Sequence, residues 1–98
     1  MADILRLFAV SAFHQDYDLD SPTADDAVEQ FVGRASAETM NSLIRRVEAL
    51  LESSLDDEQF DELWINRLHA NYDPRDDGMT YREWFAHVRD LLTQATAD

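Results

Sequence analysis

The sequence predicts an all-α fold, a compact single-domain bundle of about five short helices spanning residues 1–98. Only two Gly and two Pro occur, whereas an all-β protein of this length needs many more turn residues. Apolar residues recur at intervals of three and four, the spacing of one helix face. Residues that favour helix starts precede most of these apolar segments.

The first segment, residues 3–13, carries apolar side chains around much of a helical circumference. They are Ile4, Leu5, Leu7, Phe8, Val10 and Phe13. The spacing of Leu5 with Leu7 would also suit a buried strand, as would that of Phe8 with Val10. We expect a helix, and a strand is the alternative.

Two further helices are expected in the first half of the chain. The second begins at Pro22 with Ser21 as its N-cap, because proline favours the first helical position, and it ends at Gly33. The third begins after Ser36 as its N-cap. Its apolar positions repeat without a miss: Met40, Leu43, Ile44, Val47, Leu50 and Leu51.

A fourth helix is expected after Asp56, which with Gln59 resembles a capping box, while Ser54 is a competing cap. Its apolar face is Phe60, Leu63, Trp64, Leu68 and Tyr72. Pro74 ends it, because the residue before a proline is pushed away from helical angles.

The last helix follows a turn that ends at Gly78, and Thr80 with Glu83 forms a full capping box at its start. One face carries Tyr81, Trp84, Phe85, Val88, Leu91 and Leu92. Residues 93–98 are expected to fray. Both Trp residues are expected to anchor the core.

The net charge is −13, from 21 acidic residues against eight basic ones, and every basic residue is Arg. Such a field repels nucleic acid and anionic membranes and attracts basic partners. The absence of Cys removes disulfides and thiolate chemistry. No basic leader or membrane-spanning apolar run is seen, so we expect a soluble, intracellular protein that binds neither membranes nor nucleic acid directly.

The acidic residues form two clusters that contain no basic residue. The first is Asp16, Asp18, Asp20, Asp25, Asp26 and Glu29, and the second is Asp56, Asp57, Glu58, Asp61 and Glu62. A charge run is usually only a solvated face. Here the excess is large for so small a chain, and a basic partner would relieve the self-repulsion. We therefore expect the acidic surface to bind a basic partner.

Metal sites are not expected. Two stretches start like calcium loops, but Ala27 in the loop from Asp16 and Trp84 in the loop from Asp73 stand where the bidentate Glu belongs. The preferred interpretation is that short Asp side chains order these turns. Glu83 lies one helical turn before His87, but a di-iron bundle needs Glu-x-x-His on two helices, which this chain lacks.

Catalysis is not expected either, and neither is a cofactor. His14 and Asp16 have the chemistry of a base and its orienting group, but no nucleophile or Gly-rich loop accompanies them. A small metal-dependent enzyme that uses His14, Asp16 and the Asp73 loop is the least favoured hypothesis.

Three stretches together resemble one family. They are Phe13-His14-Gln15-Asp16-Tyr17-Asp18, then Pro22-Thr23-Ala24-Asp25-Asp26-Ala27, then Tyr72-Asp73-Pro74 with Asp77-Gly78-Met79-Thr80-Tyr81-Arg82-Glu83-Trp84. From residue 7 to residue 92 the chain is similar to the helical immunity proteins (CdiI) of bacterial contact-dependent growth inhibition (CDI) systems. Tyr17 departs from the family, in which Trp is more usual.

The resemblance implies a cytoplasmic, non-enzymatic protein that binds the C-terminal toxin domain of a CDI effector as a 1:1 heterodimer and blocks its active site. Many such toxins are nucleases with basic clefts for RNA or DNA. The carboxylates of an acidic inhibitor suit such a cleft because they can take the places of phosphates. The alternative function is an acidic helical adapter or homodimer without a toxin partner.

The resemblance also implies which residues serve architecture. The surface that recognises a particular toxin should differ between relatives, so the residues that define the family are expected to hold the fold. They are Phe13, His14, Asp16, Tyr17, Asp18, Tyr72, Asp73, Gly78 and Trp84. We expect His14, Asp16 and Asp18 to brace the first connector against helix ends, where they would satisfy unpaired backbone groups. The resemblance then implies that other acidic residues bind the toxin: Asp20, Asp25, Asp26 and Glu29 on one side, or Asp56, Asp57, Asp61 and Glu62 on the other.

Overall fold

The computed structural model describes residues 4–14 and 23–96, and within these ranges it consists of helices and connectors. The α-helices are α1 (Ile4–Ala12), α2 (Ala24–Arg34), α3 (Ala37–Glu52), α4 (Asp57–Asp61) and α5 (Tyr81–Thr96). A π-helical segment, Glu62–Arg67, continues α4, and a 3-10 helix, Pro74–Asp77, precedes α5. The prediction of an all-α bundle with five helices is confirmed, and the first segment is a helix.

The core forms where α3 packs along α5 and α1 packs on both α2 and α3. From α1, Leu5, Phe8 and Ala9 are fully buried, which fixes this helix against its neighbours. Trp64 and Trp84 are also fully buried, with ring centroids 5.4 Å apart. The predicted role of both Trp residues as core anchors is confirmed. None of the described helices is long and apolar enough to cross a bilayer.

The boundaries of α2 differ from the predicted ones. Thr23 is the N-cap, and its Oγ1 accepts a hydrogen bond of 3.1 Å from the Asp26 N–H, so the predicted start at Pro22 is wrong. Ser21 and Pro22 lie outside the described residues. The predicted stop at Gly33 is also wrong, because the helix continues to Arg34 and closes with the Ala35 N–H donating to Phe31 O.

Three predicted helix starts are confirmed. At α3, Ser36 Oγ accepts from the Thr39 N–H at 3.1 Å. At α4, Asp56 rather than Ser54 is the cap, and it exchanges two hydrogen bonds with Gln59 at 2.8 and 3.0 Å. At α5, the Thr80 N–H donates to a Glu83 carboxylate oxygen at 3.0 Å, and the Glu83 N–H donates to Thr80 Oγ1 at 3.1 Å. Each cap satisfies backbone donors that the helix start leaves unpaired.

The predicted continuation of the fourth helix to Tyr72 is wrong. The π-helix ends at Arg67, where the Leu68 N–H donates to Leu63 O at 3.0 Å, and His69 then takes a left-handed conformation with φ 59°. The chain turns back so that the Trp64 indole N–H donates to Tyr72 O at 2.9 Å. This buried bond and a continuous helix exclude each other, since the helix would carry Tyr72 two turns away from Trp64.

The last helix is longer than expected. It extends to Thr96, so the predicted fraying of residues 93–96 is wrong, and residues 97–98 lie outside the described range. Thr93 Oγ1 donates to Arg89 O at 2.7 Å and Thr96 Oγ1 donates to Thr93 O at 3.1 Å. These threonines hydrogen-bond the backbone of the last turns.

The two glycines should respond to substitution in opposite directions. Gly78 has φ 78°, whereas Gly33 is helical, and a Cβ at either position meets no atom within 4 Å. Gly78→Ala should lower the free energy of unfolding by about 1–2 kcal/mol, because an L-residue is strained in the left-handed region. Gly33→Ala should raise it by about 0.5–1 kcal/mol. Urea unfolding measures both, and a shift of the same sign in both variants would contradict this account.

Candidate interaction surfaces

The described members of the first acidic cluster, Asp25, Asp26 and Glu29, lie in the first two turns of α2. The Asp25 carboxylate pairs with His87 Nε2 of α5 at 2.9 and 3.1 Å, which ties the two helices together. Asp26 is half-buried and Glu29 is exposed. Asp20 lies outside the described residues. The structure thus places Asp25, Asp26 and Glu29 on one helix, and Asp25 already has a partner within the protein.

In the second cluster, Asp56 and Asp57 both serve helix starts. Asp56 is the N-cap of α4, as described above. Asp57 lies on α4, but its Oδ1 accepts a hydrogen bond of 3.0 Å from the Tyr81 N–H, at the start of α5. A backbone donor at a helix start has no partner within its own helix, so Asp57 stabilises α5 from outside.

Asp61 belongs to a polar network that joins α4, the 3-10 helix and α5. Its Oδ1 accepts from the Tyr81 hydroxyl at 2.9 Å and from the Arg75 guanidinium at 2.9 Å. Arg75 also donates to both carboxylate oxygens of Asp73, at distances from 2.7 to 3.1 Å. These bonds hold the pKa of Asp73 below its usual value, and burial, followed by the bond to Asp61, raises the pKa of Tyr81. Asp61 therefore joins α4 to the 3-10 helix and to α5.

The other two acids of the second cluster, Glu58 and Glu62, are exposed. Glu62 accepts a local hydrogen bond from Asn66 Nδ2 at 2.8 Å. The Glu58 carboxylate has no hydrogen bond or ion pair with any residue in 4–14 or 23–96. They border a groove of about 360 Å³, which we call the α4 groove. Its lining consists of Leu55, Glu58, Gln59, Glu62, Leu63 and Arg67.

A second groove lies beside α1. It has a volume of about 410 Å³ and is lined by Leu7, Ser11, Phe31, Arg34, Ala35, Ser36 and Thr39. Leu7 is 45% exposed and Val10, one turn further along α1, is 43% exposed. This α1 groove is bordered by a cation and by no carboxylate, so it differs in charge from the α4 groove.

Three of the residues expected to hold the fold, Phe13, Tyr72 and Trp84, are buried in the core. Phe13 stacks on Tyr72 with ring centroids 5.3 Å apart, and Tyr72 lies 5.2 Å from Trp84. The Tyr72 hydroxyl donates to Asp77 Oδ2 at 2.6 Å, and Gly78 ends the 3-10 helix in the left-handed conformation.

The first connector is described only at its start. His14 is half-buried and has a partner. Asp16, Tyr17 and Asp18 lie outside the described residues, so the bracing of this connector against helix ends stays a prediction.

Two residues with structural roles were not singled out from the sequence. Asn71 donates to Phe13 O through both its backbone N–H, at 3.0 Å, and its Nδ2, at 3.1 Å, and so fastens the end of the α1 segment to the chain before the 3-10 helix. The Arg82 guanidinium donates to Leu51 O, to Ser53 O at 2.9 Å and to Leu55 O at 3.1 Å.

The only sequence signal for Arg82 is that its helical neighbours at three and four residues, Phe85 and Ala86, offer no carboxylate. An arginine without a partner on its own helix has its donors available for another element. For Asn71 we find no comparable signal.

Metal ligation has no support in residues 4–14 and 23–96, where no three His, Asp or Glu side chains converge. Glu83 is engaged in the α5 capping box, and His87 pairs with Asp25. Asp73 Oδ1 accepts from the Arg75 N–H at 2.9 Å, so this carboxylate orders the turn that starts the calcium-like loop.

The fold and its surface define a small helical protein whose acids are divided between internal contacts and solvent. Comparison with known proteins assigns the family: the CdiI immunity protein model matches residues 2–92, and the chain belongs to that family. The resemblance inferred from the motif residues is confirmed. No curated protein matches the chain.

A solved structure shows the same fold. A chain of the crystal structure of a CdiA-CT/CdiI complex from Y. kristensenii 33638 superposes with a TM-score of 0.84 at 21% identity. The match covers 91% of the present chain and 95% of that chain. The helical arrangement is therefore one that a chain of that CdiA-CT/CdiI complex also adopts.

Proposed function

We propose that this protein is a non-enzymatic immunity protein that acts in the cytoplasm. In this proposal it binds the C-terminal toxin domain of a CDI effector as a 1:1 heterodimer and neutralises it by covering the active site. The observation that carries the proposal is membership of the CdiI immunity protein family over residues 2–92. The fold shared with a chain of a CdiA-CT/CdiI complex supports it.

The proposal extends to the chemistry of the toxin, which we take to be a nuclease with a basic cleft. The support is electrostatic: a net charge of −13 favours a cationic partner and accelerates encounter with it. The partner-binding residues proposed are Asp20, Asp25, Asp26 and Glu29 around α2, or Asp56, Asp57, Asp61 and Glu62 around α4. Ion pairs within the protein neutralise only part of this negative charge, because the acidic residues outnumber the basic ones.

Inhibition of the toxin domain encoded immediately upstream tests the function. That domain should lose its activity at an equimolar ratio of the purified immunity protein, and the two should co-elute as a 1:1 complex. A toxin domain that stays fully active beside an excess of folded immunity protein would refute the proposal.

The association rate constant should fall about tenfold or more between 0.05 and 0.5 M NaCl, because salt screens the attraction between exposed charges. Stopped-flow mixing with the toxin domain measures it. A triple variant, Glu29→Gln with Glu58→Gln and Glu62→Gln, should associate more slowly at low salt and show a shallower salt dependence. The control Arg45→Gln, an exposed residue of α3, should not be slower. Equal rates for the triple variant and the parent would refute electrostatic steering.

A homodimer without a toxin partner is the second candidate, and the exposed Leu7 and Val10 on α1 favour it. Sedimentation velocity at micromolar to submillimolar concentration decides between the candidates. A dimer that Leu7→Glu dissociates would support this candidate, and a strictly monomeric profile would reject it.

A further inference from the structure

We infer that the α4 groove is the docking site for an arginine or lysine side chain of the toxin domain, and that this contact is a hot spot of the interface. The inference rests on the proposed function and deepens it, because it selects one side of the protein and names the chemical group that binds there.

The floor of the groove is apolar. Leu55, in the connector before α4, and Leu63, on the π-helix, are half-buried and pack against the core from one side. Their remaining surface lines the groove of about 360 Å³. Long cationic side chains lay their alkyl stems along surfaces of this kind and keep the charged head in a polar setting.

The rim supplies that polar setting. Glu58 and Glu62 lie one helical turn apart and both line the groove. The Glu58 carboxylate has no partner among the described residues, and the one described partner of the Glu62 carboxylate is Asn66 on the same helical segment. An uncharged apolar occupant would desolvate two carboxylates that have no cationic partner, which is unfavourable, whereas a guanidinium or ammonium would pair with them.

Arg67 is the single cation of the lining. It lies five residues after Glu62, beyond the two glutamates, so the charge of the groove changes sign along its length. The head of the docked side chain is therefore placed at the Glu58 end, away from Arg67.

The other grooves are less suited to a cation. The α1 groove is bordered by Arg34 and has no carboxylate in its lining. A groove of about 270 Å³ between α2 and α5 has one carboxylate, Glu29, in its lining, while the nearby Asp25 pairs with His87. The α4 groove combines an apolar floor with two carboxylates that hold no other element in place.

The backbone beside the groove has unusual conformations. The π-helix contributes Glu62, Leu63 and Arg67 to the lining, and two residues after it His69 is exposed with φ 59°. Short π-helical segments and left-handed non-glycine residues are enriched at functional sites. This agrees with the placement of the docking site, which the apolar floor and the rim charges support independently.

Affinity measurements on paired charge-reversal variants test the inference. Glu58→Lys with Glu62→Lys should raise the Kd for the toxin domain by about 30-fold or more, the loss that defines a hot spot. The control Glu38→Lys with Glu48→Lys changes the net charge by the same amount at exposed positions of α3, outside the α4 groove and outside both acidic clusters. It should raise the Kd by no more than about threefold, an effect of long-range charge alone. Isothermal titration calorimetry gives both values, and circular dichroism verifies that each variant is folded.

The milder variant Glu58→Gln with Glu62→Gln covers the case in which charge reversal disturbs α4, because glutamine keeps the shape and can still accept from Asn66 Nδ2. It should raise the Kd by about fivefold or more. An unchanged Kd in folded groove variants, or an equal loss in the control, overturns the docking site while leaving the proposed function intact. A parent protein that neither binds nor inhibits the toxin domain overturns the proposed function, and the docking site with it.

Discussion

Replacing Trp64 by Ala should lower the free energy of unfolding by about 3–5 kcal/mol, the cost of a large cavity in a core. Domains of this size are stable by only about 5–15 kcal/mol, so a large part of the stability would be lost. The indole is fully buried and contacts other aromatic rings at centroid distances of 5.4 to 5.8 Å. These rings belong to Phe8, Phe13, Trp84 and Phe85. Urea unfolding followed by circular dichroism measures the change.

The control Trp64→Phe separates packing from hydrogen bonding. Phenylalanine keeps an aromatic ring in the cavity but cannot donate to Tyr72 O, so it should lower the free energy of unfolding by about 1–3 kcal/mol. A loss below about 1 kcal/mol for Trp64→Ala would contradict the central position of this residue. Equal losses in both variants would place the whole effect in the hydrogen bond.

Arg82→Ala should lower the free energy of unfolding by about 2–4 kcal/mol, because hydrogen bonds from a charged donor are stronger than neutral ones and three carbonyls lose their partner. The carbonyls of Leu51, Ser53 and Leu55 lie at the end of α3 and in the connector to α4. The guanidinium also lies 5.6 Å from the centroid of the Phe60 ring, a contact worth less than the three bonds. The urea midpoint of the variant measures the loss.

Two controls accompany this variant. Arg82→Lys keeps the charge but presents a compact ammonium in place of a planar fork, so it should recover only part of the loss. Arg89→Ala removes an arginine from the same helix whose pairing with Asp90, at 3.7 Å, is exposed, and it should cost less than about 0.5 kcal/mol. If Arg82→Ala and Arg89→Ala cost the same, the guanidinium does not hold the α3–α4 connector.

The helix starts at α3, α4 and α5 were predictable because each depends on residues within three positions of one another. Ser36, the Asp56–Gln59 pair and the Thr80–Glu83 pair each form their bonds locally. The start of α2 was not, because Ser21 and Thr23 both suit an N-cap and Pro22 lies between them. Local propensity does not choose between two adjacent caps.

The end of the fourth helix depends on distant contacts. The apolar spacing from Phe60 to Tyr72 fits a continuous helix, but the Trp64–Tyr72 hydrogen bond and the Asn71–Phe13 hydrogen bonds require the chain to turn back. Tertiary contacts of this kind override helix propensity, which is worth less than 1 kcal/mol for ordinary residues. No pattern within residues 57–72 reveals them.

The acidic clusters were visible in the sequence as counts of like charges. The sequence does not show which of their carboxylates make contacts within the protein and which face solvent. Asp57 accepts a hydrogen bond from the Tyr81 N–H, 24 residues away, and Asp61 accepts one from the Tyr81 hydroxyl, 20 residues away. Asp25 pairs with His87, 62 residues away. Glu58 lies beside Asp57 and has no such contact. Only the packing of α2 and α4 against α5 separates the two kinds of carboxylate.

This division determines which carboxylates can be substituted without loss of stability. Glu58 and Glu62 are independent of the contacts that join one helix to another, so mutation can replace them at little cost in folding. At the proposed docking site, substitutions at Glu58 and Glu62 would therefore change the surface offered to a toxin domain while the fold stays the same. Asp57 and Asp61 cannot be substituted in this way, because each substitution would remove a hydrogen bond to Tyr81 and destabilise the packing of α5.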